Sequence, residues 1–216
     1  PLEEQDGKAD LSGDREDWYH LRSLLEKYPL SEPAWLGRFS QQIPSGSLVY
    51  LGNSMPIREW NLAATFDDRE LRCYASRGAN GIDGQCSTYL GMSVDKAVSW
   101  AFFGDLTTLY DLSAPWVLKQ MKQNRRRFVV INNGGGKIFS RLPHMAGLNE
   151  DQKAITENQH QMNFANWAAM WAMWYHKITT VEEFSSDSMT ELDSVVCEVC
   201  PDNEQTEAFW SELNAI

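Results

Sequence analysis

The sequence lacks an apolar run long enough to cross a membrane, and its first residues show no signal-peptide pattern. Cations are also scarce: 19 Lys and Arg residues stand against 30 Asp and Glu residues, giving a formal net charge of −11 at pH 7. Nucleic-acid binding needs clustered Lys and Arg, so we expect neither a nucleic-acid partner nor a membrane partner. These absences predict a cytoplasmic protein.

Cysteine is scarce too, with four residues in the chain. The spacing of Cys197 and Cys200 occurs in redox and zinc pairs. However, both lie in SVVCEVC, which predicts a strand, and strand positions three apart face opposite sides. No second Cys/His pair completes a zinc site, so we expect ordinary, reduced strand residues. The basic run at residues 125–127 precedes another predicted strand and suggests a solvated turn.

Hydrophobic residues make up 43% of the chain, enough for a substantial core. Short apolar runs alternate with helix-like segments, which is typical of an α/β fold with a parallel β-sheet and helices on both faces. Residues 1–16 are polar and predict a linker or a frayed end, whereas residues 17–44 carry helix patterns. Further helices are expected from about Pro56 and from near Ser113. The predicted strands are residues 47–51, 71–75, 97–103, 127–131 and 194–199.

Three tryptophans, Trp167, Trp171 and Trp174, have i, i+4, i+7 spacing within residues 163–176. An aromatic recognition stripe would show this pattern, and so would a helix that buries one face in the core. We expect the helix, because apolar side chains at this spacing usually serve packing.

Polar and glycine-rich segments follow the predicted strands, at the edge where open parallel sheets bind ligands. Three of these segments resemble known motifs, but each lacks residues that the motif requires. Residues 78–84 read G-x-x-G-x-x-G rather than the dinucleotide pattern, and residues 131–138 lack the first Gly and the Ser/Thr of a phosphate-binding loop. Residues 52–56 follow a strand as a nucleophile elbow does, but Pro56 replaces the second Gly.

Asp105 follows one predicted strand, and Asn133 follows the next strand along the chain. A carboxylate, an amide oxygen and a carbonyl from the glycines at 134–136 are ligands that Mg²⁺ accepts, with phosphate oxygens and water completing its shell. The N–H groups after Asp105 can approach a diphosphate. The alternative makes Asp105 a helix cap and the Asn-Asn-Gly segment a tight turn. The two segments together favour a metal–diphosphate site.

Four segments occur in one order: GNSMPIRE, SRGANGIDG, GDLTTLYDL and NNGGGKIFSRLP. The spacing of G-D-x and N-N resembles the diphosphate-binding signature of thiamin diphosphate enzymes. Over about residues 30–200 the four segments together resemble the 2-succinyl-5-enolpyruvyl-6-hydroxy-3-cyclohexene-1-carboxylate (SEPHCHC) synthases of menaquinone biosynthesis. The resemblance implies a thiamin diphosphate-binding fold and a transferase (carboligase) that uses thiamin diphosphate and Mg²⁺. Its implied reaction is decarboxylation of 2-oxoglutarate and 1,4-addition of the resulting succinyl group to isochorismate.

The resemblance also implies roles for individual residues, including an apolar wedge that bends the cofactor at position 82 and an apolar wall beside the substrates at positions 138–142. The implied metal ligands are Asp105, Asn133 and the carbonyl of Gly135. The implied cofactor contacts are Ile82, Gly104, Asp105, Leu106, Thr107, Asn133 and Gly135. The implied substrate contacts are Ser54, Arg58, Arg77, Ile138, Phe139 and Leu142.

Family members have three domains, and the resemblance implies that residues 31–216 form the C-terminal, diphosphate-binding one. Residues 1–30 would then be a linker or terminal extension that includes the start of a helix. The activating glutamate would belong to the N-terminal, pyrimidine-binding domain of a partner subunit. We therefore expect no catalytic residue in this chain, no activity from it alone, and a homodimer or homotetramer for the longer protein.

The sequence departs from the family pattern at Ser76, where Asn is common, and at Lys137, where Gly or Gln is usual. Lys137 lies beside the implied substrate pocket, so the second departure could change substrate contacts. Two alternatives remain open. One is a different thiamin diphosphate-dependent decarboxylase or carboligase, and the other is a non-catalytic cofactor-binding module.

Overall fold

The computed structural model describes residues 12–78, 80–142, 145, 147–184 and 192–215, without the side chains of Ser12, Asp14 and Ser140. Its helices are α1 (Ser12–Lys27), α2 (Glu32–Gln42), α3 (Met55–Ala63), α4 (Gln85–Met92), α5 (Asp105–Leu109), α6 (Glu150–Thr156), α7 (Ala165–Met170) and α8 (Asn203–Leu213), with 3-10 helices at Ala114–Gln120 and Phe139–Arg141. Its strands are β1 (Leu48–Leu51), β2 (Arg72–Tyr74), β3 (Val98–Gly104), β4 (Arg125–Ile131), β5 (Trp174–Ile178) and β6 (Ser194–Val199).

The strands form one six-stranded sheet in the order β2-β1-β3-β4-β6-β5, and every pair of neighbours is parallel. The predicted α/β class with a parallel sheet is therefore confirmed. In the central pair, Gly104 at the end of β3 lies opposite Ile131 at the end of β4. This register brings the polar segments that follow the two strands to the same edge of the sheet.

Both faces of the central strands β1, β3, β4 and β6 are covered, because their side chains alternate between the two faces and most of them are buried. On one face Phe102 of β3 packs against Trp60 of α3, with ring centroids 5.1 Å apart. On the other face Phe103 packs against Tyr89 of α4 at 6.0 Å, and Trp167 of α7 belongs to the same core. These aromatic contacts hold helices on both faces and keep the strand ends in register.

The region of residues 163–176 corrects one prediction. Helix α7 ends at Met170, and Ala172 takes a positive φ of 55°, which reverses the chain into β5. Trp167 is buried, but Trp174 lies on β5 and is 61% exposed, so the expectation of one helix with three buried indoles is wrong. The indole N–H groups of Trp167 and Trp171 both donate to the carbonyl of Leu112. The i, i+4, i+7 spacing therefore corresponds to a helix only as far as Met170, before the chain reverses.

The basic run is a second correction, because it belongs to β4 rather than to a solvated turn. Arg126 is 2% exposed and Arg127 is 1% exposed. Arg126 donates from Nε to Ser93 Oγ at 3.0 Å, and Arg127 donates from Nη1 to the carbonyl of Asp193 at 3.2 Å. Burial lowers the pKa of both guanidinium groups. Nearby hydroxyl and carbonyl oxygens are what allow these cations to lie inside.

Two further segments bear on the predicted helices. Residues 1–11 of the predicted linker lie outside the described residues. Residues 12–16 belong to α1, so the prediction of a linker as far as residue 16 is wrong for them. Helix α1 ends at Lys27, whose Nζ lies 2.6 Å from Glu212 of α8. After β3 the chain enters α5 at once. The element expected near Ser113 is a 3-10 helix, and the Ser113 side chain does not cap it. None of the described helices is long and apolar enough to span a bilayer.

Candidate functional site

A cavity of about 430 Å³ opens at the carboxyl edge of the sheet. Every site residue selected from the sequence lines it, although these residues come from separate segments of the chain. Parallel strands that end at one edge explain the convergence, since each strand delivers its following loop to the same place. The roles of the residues stay predictions. The lining includes Ser54, Arg58, Arg77, Ile82, Gly104, Asp105, Leu106, Thr107, Asn133, Gly135, Ile138, Phe139 and Leu142.

Asp105 connects the ends of two strands. It is the first residue of α5 and is 2% exposed. Its Oδ2 accepts hydrogen bonds from the backbone N–H groups of Gly134 at 2.9 Å and Gly135 at 3.0 Å, and Nε2 of His160 lies 3.3 Å away. Its Oδ1 accepts from the N–H of Leu106 at 2.6 Å. Burial raises the pKa of this carboxyl, and the surrounding N–H groups and His160 oppose that shift.

The loop after β4 is tight and depends on glycine. Gly134 and Gly135 have φ values of 81° and 151°. A Cβ at Gly135 would lie 2.7 Å from the carbonyl oxygen of Glu157, so the close approach also requires glycine there. Within this loop Asn133 donates from Nδ2 to Glu32 Oε1 at 2.9 Å and accepts at Oδ1 from the N–H of Gly135 at 3.2 Å. The loop thus presents an ordered amide beside Asp105.

The donor chemistry here fits a small hard cation. Oδ2 of Asp105 and Oδ1 of Asn133 both accept from the N–H of Gly135, so the two oxygens lie on the same side of the loop. Within the part of the chain that the structure describes, no group of three or more His, Cys, Asp or Glu side chains could hold a metal. A cation at this edge would therefore use carboxylate, amide, carbonyl and phosphate oxygens together, as Mg²⁺ does. Gly104, rather than Asp105, occupies the cap position of α5.

Polar groups follow β1 at another part of the cavity. Ser54 has φ 74° and ψ −130°, a conformation that non-glycine residues rarely adopt. Its carbonyl accepts a hydrogen bond from Arg58 Nη1 at 2.5 Å. Arg77 donates from Nη1 to Asn53 Oδ1 at 3.0 Å, and Asn53 in turn donates from Nδ2 to the carbonyl of Gly81 at 2.7 Å. Each guanidinium uses one nitrogen in these contacts, and its other N–H donors could meet an anion.

The two departures from the family pattern have local partners. Lys137 lines the cavity, but its Nζ lies 2.6 Å from Glu157 Oε2, and the two side chains are 19% and 4% exposed. The charge of Lys137 is therefore matched within the wall. Ser76 Oγ shares a hydrogen bond of 2.7 Å with the hydroxyl of Tyr50. Apolar side chains complete the cavity at positions 82, 138, 139 and 142.

Sequence reasoning missed a pair of buried carboxyl groups beside the site. Glu32, the first residue of α2, is 1% exposed and lines the cavity, and Glu59 of α3 is 0% exposed. The carboxyl group of Glu59 lies against that of Glu32. Burial raises the pKa of Glu32, and burial together with the charge of Glu32 raises the pKa of Glu59 well above its usual range. An acidic residue in a first helical turn normally indicates only a favourable dipole interaction, so the position of Glu32 in the cavity could not be recognised from its sequence context.

Comparisons with known proteins identify similar chains. No family model matches this sequence. It is 43% identical over 196 residues to the 2-succinyl-5-enolpyruvyl-6-hydroxy-3-cyclohexene-1-carboxylate synthase of Bdellovibrio bacteriovorus, covering 91% of this chain and 35% of that protein. It is 41% identical over 194 residues to the synthase of the same name from Akkermansia muciniphila, covering 89% and 36%. The chain therefore resembles SEPHCHC synthases over most of its length and spans about a third of the curated relatives it matches.

Proposed function

We propose that the chain is the diphosphate-binding domain of a SEPHCHC synthase, an enzyme of menaquinone biosynthesis that uses thiamin diphosphate and Mg²⁺. The observation that carries this proposal is the single cavity at the carboxyl edge of the sheet, which is lined by all the residues that the family resemblance selects. The similarity to named synthases over about nine tenths of the chain supports the same conclusion.

In this proposal the cofactor end of the cavity is built on β3 and β4. Asp105, Oδ1 of Asn133 and the carbonyl of Gly135 hold Mg²⁺, and the backbone of Leu106 and Thr107 faces the diphosphate. Thiamin diphosphate, when bound, supplies the electron sink that decarboxylation of a 2-oxo acid requires. The chain contributes position, because the hydrogen bonds from Gly134 and Gly135 to Asp105 hold the metal ligands together.

The substrate end needs local cations, because both proposed substrates, 2-oxoglutarate and isochorismate, are polyanions and the chain is acidic overall. Arg58 and Arg77 both line the cavity and are the natural carboxylate partners there. Their hydrogen bonds to the carbonyl of Ser54 and the side chain of Asn53 fix one side of each guanidinium. The remaining N–H groups of each guanidinium are then oriented for a substrate carboxylate.

The apolar wall has a different task. Ile138, Phe139 and Leu142 line the cavity beside the glycine loop. Phe139 and Leu142 are 45% and 37% exposed in this chain, so in the proposal they exclude water once the partner domain covers them. Water would otherwise protonate the reacting carbon before it meets isochorismate. Ile82 is the apolar support on the cofactor side. The proposed chemistry thus needs both ends of one cavity.

The rest of the enzyme is also part of the proposal. The relatives are about three times as long as the aligned segment, so we propose that this chain works within a longer polypeptide, called the longer enzyme below. There an N-terminal, pyrimidine-binding domain of a partner subunit completes the site and supplies the activating glutamate. The longer enzyme would accordingly be a homodimer or homotetramer.

An assay with alternative substrates tests this function. The longer enzyme is incubated with isochorismate, thiamin diphosphate and Mg²⁺, together with either 2-oxoglutarate or pyruvate, and the adduct is measured by mass spectrometry. We expect an adduct with 2-oxoglutarate alone. An adduct with pyruvate alone would indicate a different thiamin diphosphate-dependent carboligase, and cofactor binding without turnover of either 2-oxo acid would indicate a non-catalytic module.

A further inference from the structure

Glu32 is a buried acid in the cavity wall that the proposed function does not use. It begins α2, far from the strand ends in sequence, and reaches the glycine loop from the neighbouring helix layer. Its backbone N–H donates to Thr206 Oγ1 at 3.1 Å, so the start of α2 is fixed against α8. Its Oε1 accepts from Nδ2 of Asn133 at 2.9 Å, across 101 positions of sequence.

The amide of Asn133 is held between two partners of opposite character. On one side the N–H of Gly135, which can only donate, lies 3.2 Å from Oδ1. On the other side the carboxyl group of Glu32 accepts from Nδ2. A flipped amide would bring its NH₂ group against the N–H of Gly135, so the partners themselves decide the orientation. The result places Oδ1 on the side of the loop where Asp105 also accepts from Gly135.

We propose that Glu32 is a positioning residue for the metal site, because its carboxyl group holds the Asn133 amide with Oδ1 directed toward the side of Asp105. This inference rests on the proposed function for the metal, whereas the orientation itself rests on the hydrogen bonds alone. Groups that orient the ligands of a metal typically change its affinity by about 10- to 100-fold when they are removed.

Deamidation reports on how firmly the Asn133 side chain is held, because Gly134 follows Asn133 in the sequence. In such a pair the Gly nitrogen attacks the side-chain carbonyl carbon of Asn. The new N–C bond replaces the bond to the amide nitrogen, which leaves as ammonia with the displaced proton, and one water then opens the cyclic imide to Asp or isoaspartate. In this chain the Gly134 N–H is bound to Asp105 and the Asn133 amide is bound to Glu32, so attack is hindered. Asn80 also precedes a glycine, is exposed, and serves as an internal reference.

Deamidation of the 216-residue chain is the first measurement, followed by peptide mass spectrometry during incubation at mildly alkaline pH. We expect Asn133 to react more slowly than Asn80 in the wild type, because its amide and the attacking nitrogen of Gly134 are both held in hydrogen bonds. This comparison needs no variant, and equal rates would overturn the proposal. Glu32→Met, which removes the acceptor but keeps the side-chain length, should bring the Asn133 rate toward that of Asn80. Glu32→Gln keeps an acceptor oxygen and should preserve the protection.

Metal affinity of the longer enzyme is the second measurement, with Mn²⁺ as the probe in the presence of thiamin diphosphate and electron paramagnetic resonance as the readout. Glu32→Met should weaken Mn²⁺ binding by about 10- to 100-fold, and Glu32→Gln should stay within about threefold of the wild type. Glu32→Gln is also the control for loss of the buried negative charge, because it removes the charge and keeps an oxygen that can accept from Asn133.

The outcomes separate the two proposals. Wild-type affinity in Glu32→Met would overturn the role of Glu32 and leave the metal site standing. Absence of Mn²⁺ binding by the wild-type longer enzyme would overturn the metal site and with it the role of Glu32, even if Asn133 is protected from deamidation. Loss of affinity in Glu32→Gln equal to that in Glu32→Met would show an effect of the buried charge rather than of the acceptor oxygen and would also overturn the positioning role.

Discussion

The carboxylate of Asp105 and the backbone of Gly135 are joined by an N–H···O hydrogen bond of 3.0 Å, which connects the end of β3 to the loop after β4. The carboxylate therefore has two tasks, because it anchors the glycine loop and is also the proposed ligand of Mg²⁺. Substitutions at this position can separate the tasks. Asparagine keeps an oxygen that can accept from the loop but lacks the charge, whereas alanine lacks both.

The first prediction concerns binding of the cofactor to the longer enzyme. Saturation at about one hundred times Kd stabilises a protein by about 2.7 kcal/mol, so the wild type should show a rise in melting temperature with thiamin diphosphate and Mg²⁺. Asp105→Ala should show no rise. Asp105→Asn can accept from the glycine loop but turns its NH₂ group toward the N–H of Leu106, so it should melt below the wild type without ligand and show a smaller rise with it. A shift of wild-type size in Asp105→Ala, measured by differential scanning fluorimetry, would remove Asp105 from the metal site.

The second prediction concerns the two arginines of the cavity. Arg58 and Arg77 are exposed in this chain, and in the proposal the partner domain covers them in the longer enzyme. Loss of one partner of a charge pair that is desolvated in this way costs about 2–5 kcal/mol, which is about one and a half to four decades in kcat/KM. Arg58→Ala and Arg77→Ala in the longer enzyme should each lose activity on this scale while the affinity for thiamin diphosphate changes little. Arg125→Ala is the control, because Arg125 is exposed at the start of β4, away from the cavity. Steady-state kinetics within about threefold of the wild type for both cavity variants would contradict their assignment.

The third prediction uses the backbone of Ser54. A non-glycine residue in such a conformation stores about 1–3 kcal/mol of strain, part of which the greater chain entropy of glycine offsets in a Ser54→Gly variant. We expect Ser54→Gly to raise the free energy of unfolding by about 1 kcal/mol. Ser54→Ala keeps the strain and should not gain stability. Urea denaturation of the 216-residue chain measures both, and equal stability of the two variants would show that the turn is not strained.

Much of this site was predictable because strand ends carry a local signal. Continuous apolar runs located β1, β3, β4 and β6, and the polar segments behind them located the cavity. Contacts between distant segments carry no such signal. Glu32 lies 101 positions before Asn133, so nothing in the sequence linked it to the site. Likewise the Ser93 partner of Arg126 and the Asp193 partner of Arg127 lie 33 and 66 positions away, so their burial could not be predicted. The helical spacing of the tryptophans led to the wrong prediction of one continuous helix. The chain reverses at Ala172 with a positive φ, which alanine seldom adopts, so the sequence does not indicate the reversal.

The fourth prediction concerns pH. The pKa of Glu59 in the folded chain lies well above its ordinary value of 4.5, because the side chain is buried next to Glu32. Between the pKa of the unfolded chain and the higher pKa of the folded chain, Glu59 keeps its proton in the folded chain and loses it in the unfolded one. The contribution of Glu59 to the free energy of unfolding is therefore complete below about pH 4.5 and is lost as pH rises through the folded pKa. Glutamine mimics the neutral acid at every pH. Glu59→Gln should therefore match the wild type at low pH and become more stable than it as pH increases.

Chemical denaturation of both proteins at a series of pH values measures that gap. The exposed Glu204→Gln serves as the control for removal of one negative charge from the chain. A gap that stays constant across the series would mean that the pKa of Glu59 is not raised in the folded chain. A gap that closes with rising pH would reverse the sign of the linkage and contradict the buried environment assigned to this carboxyl group.

The last prediction concerns the division of labour between this chain and the longer enzyme. The chain builds two cores of its own on the two faces of the sheet, so the isolated 216 residues should fold cooperatively. They should nevertheless fail to decarboxylate 2-oxoglutarate at any cofactor concentration. In the proposal the activating glutamate lies in a domain outside this chain, and the acids nearest the cavity, Glu32 and Asp105, are both engaged by the glycine loop.

Carbon dioxide release from labelled 2-oxoglutarate tests this directly. The fragment is assayed alone and then with the remaining domains supplied in trans, and the longer enzyme serves as the positive control. Activity should appear only when the remaining domains are present. Turnover by the purified fragment would mean that the acid required for activation lies among these residues, and Glu32, the buried carboxyl group that lines the cavity, would then be the first position to substitute.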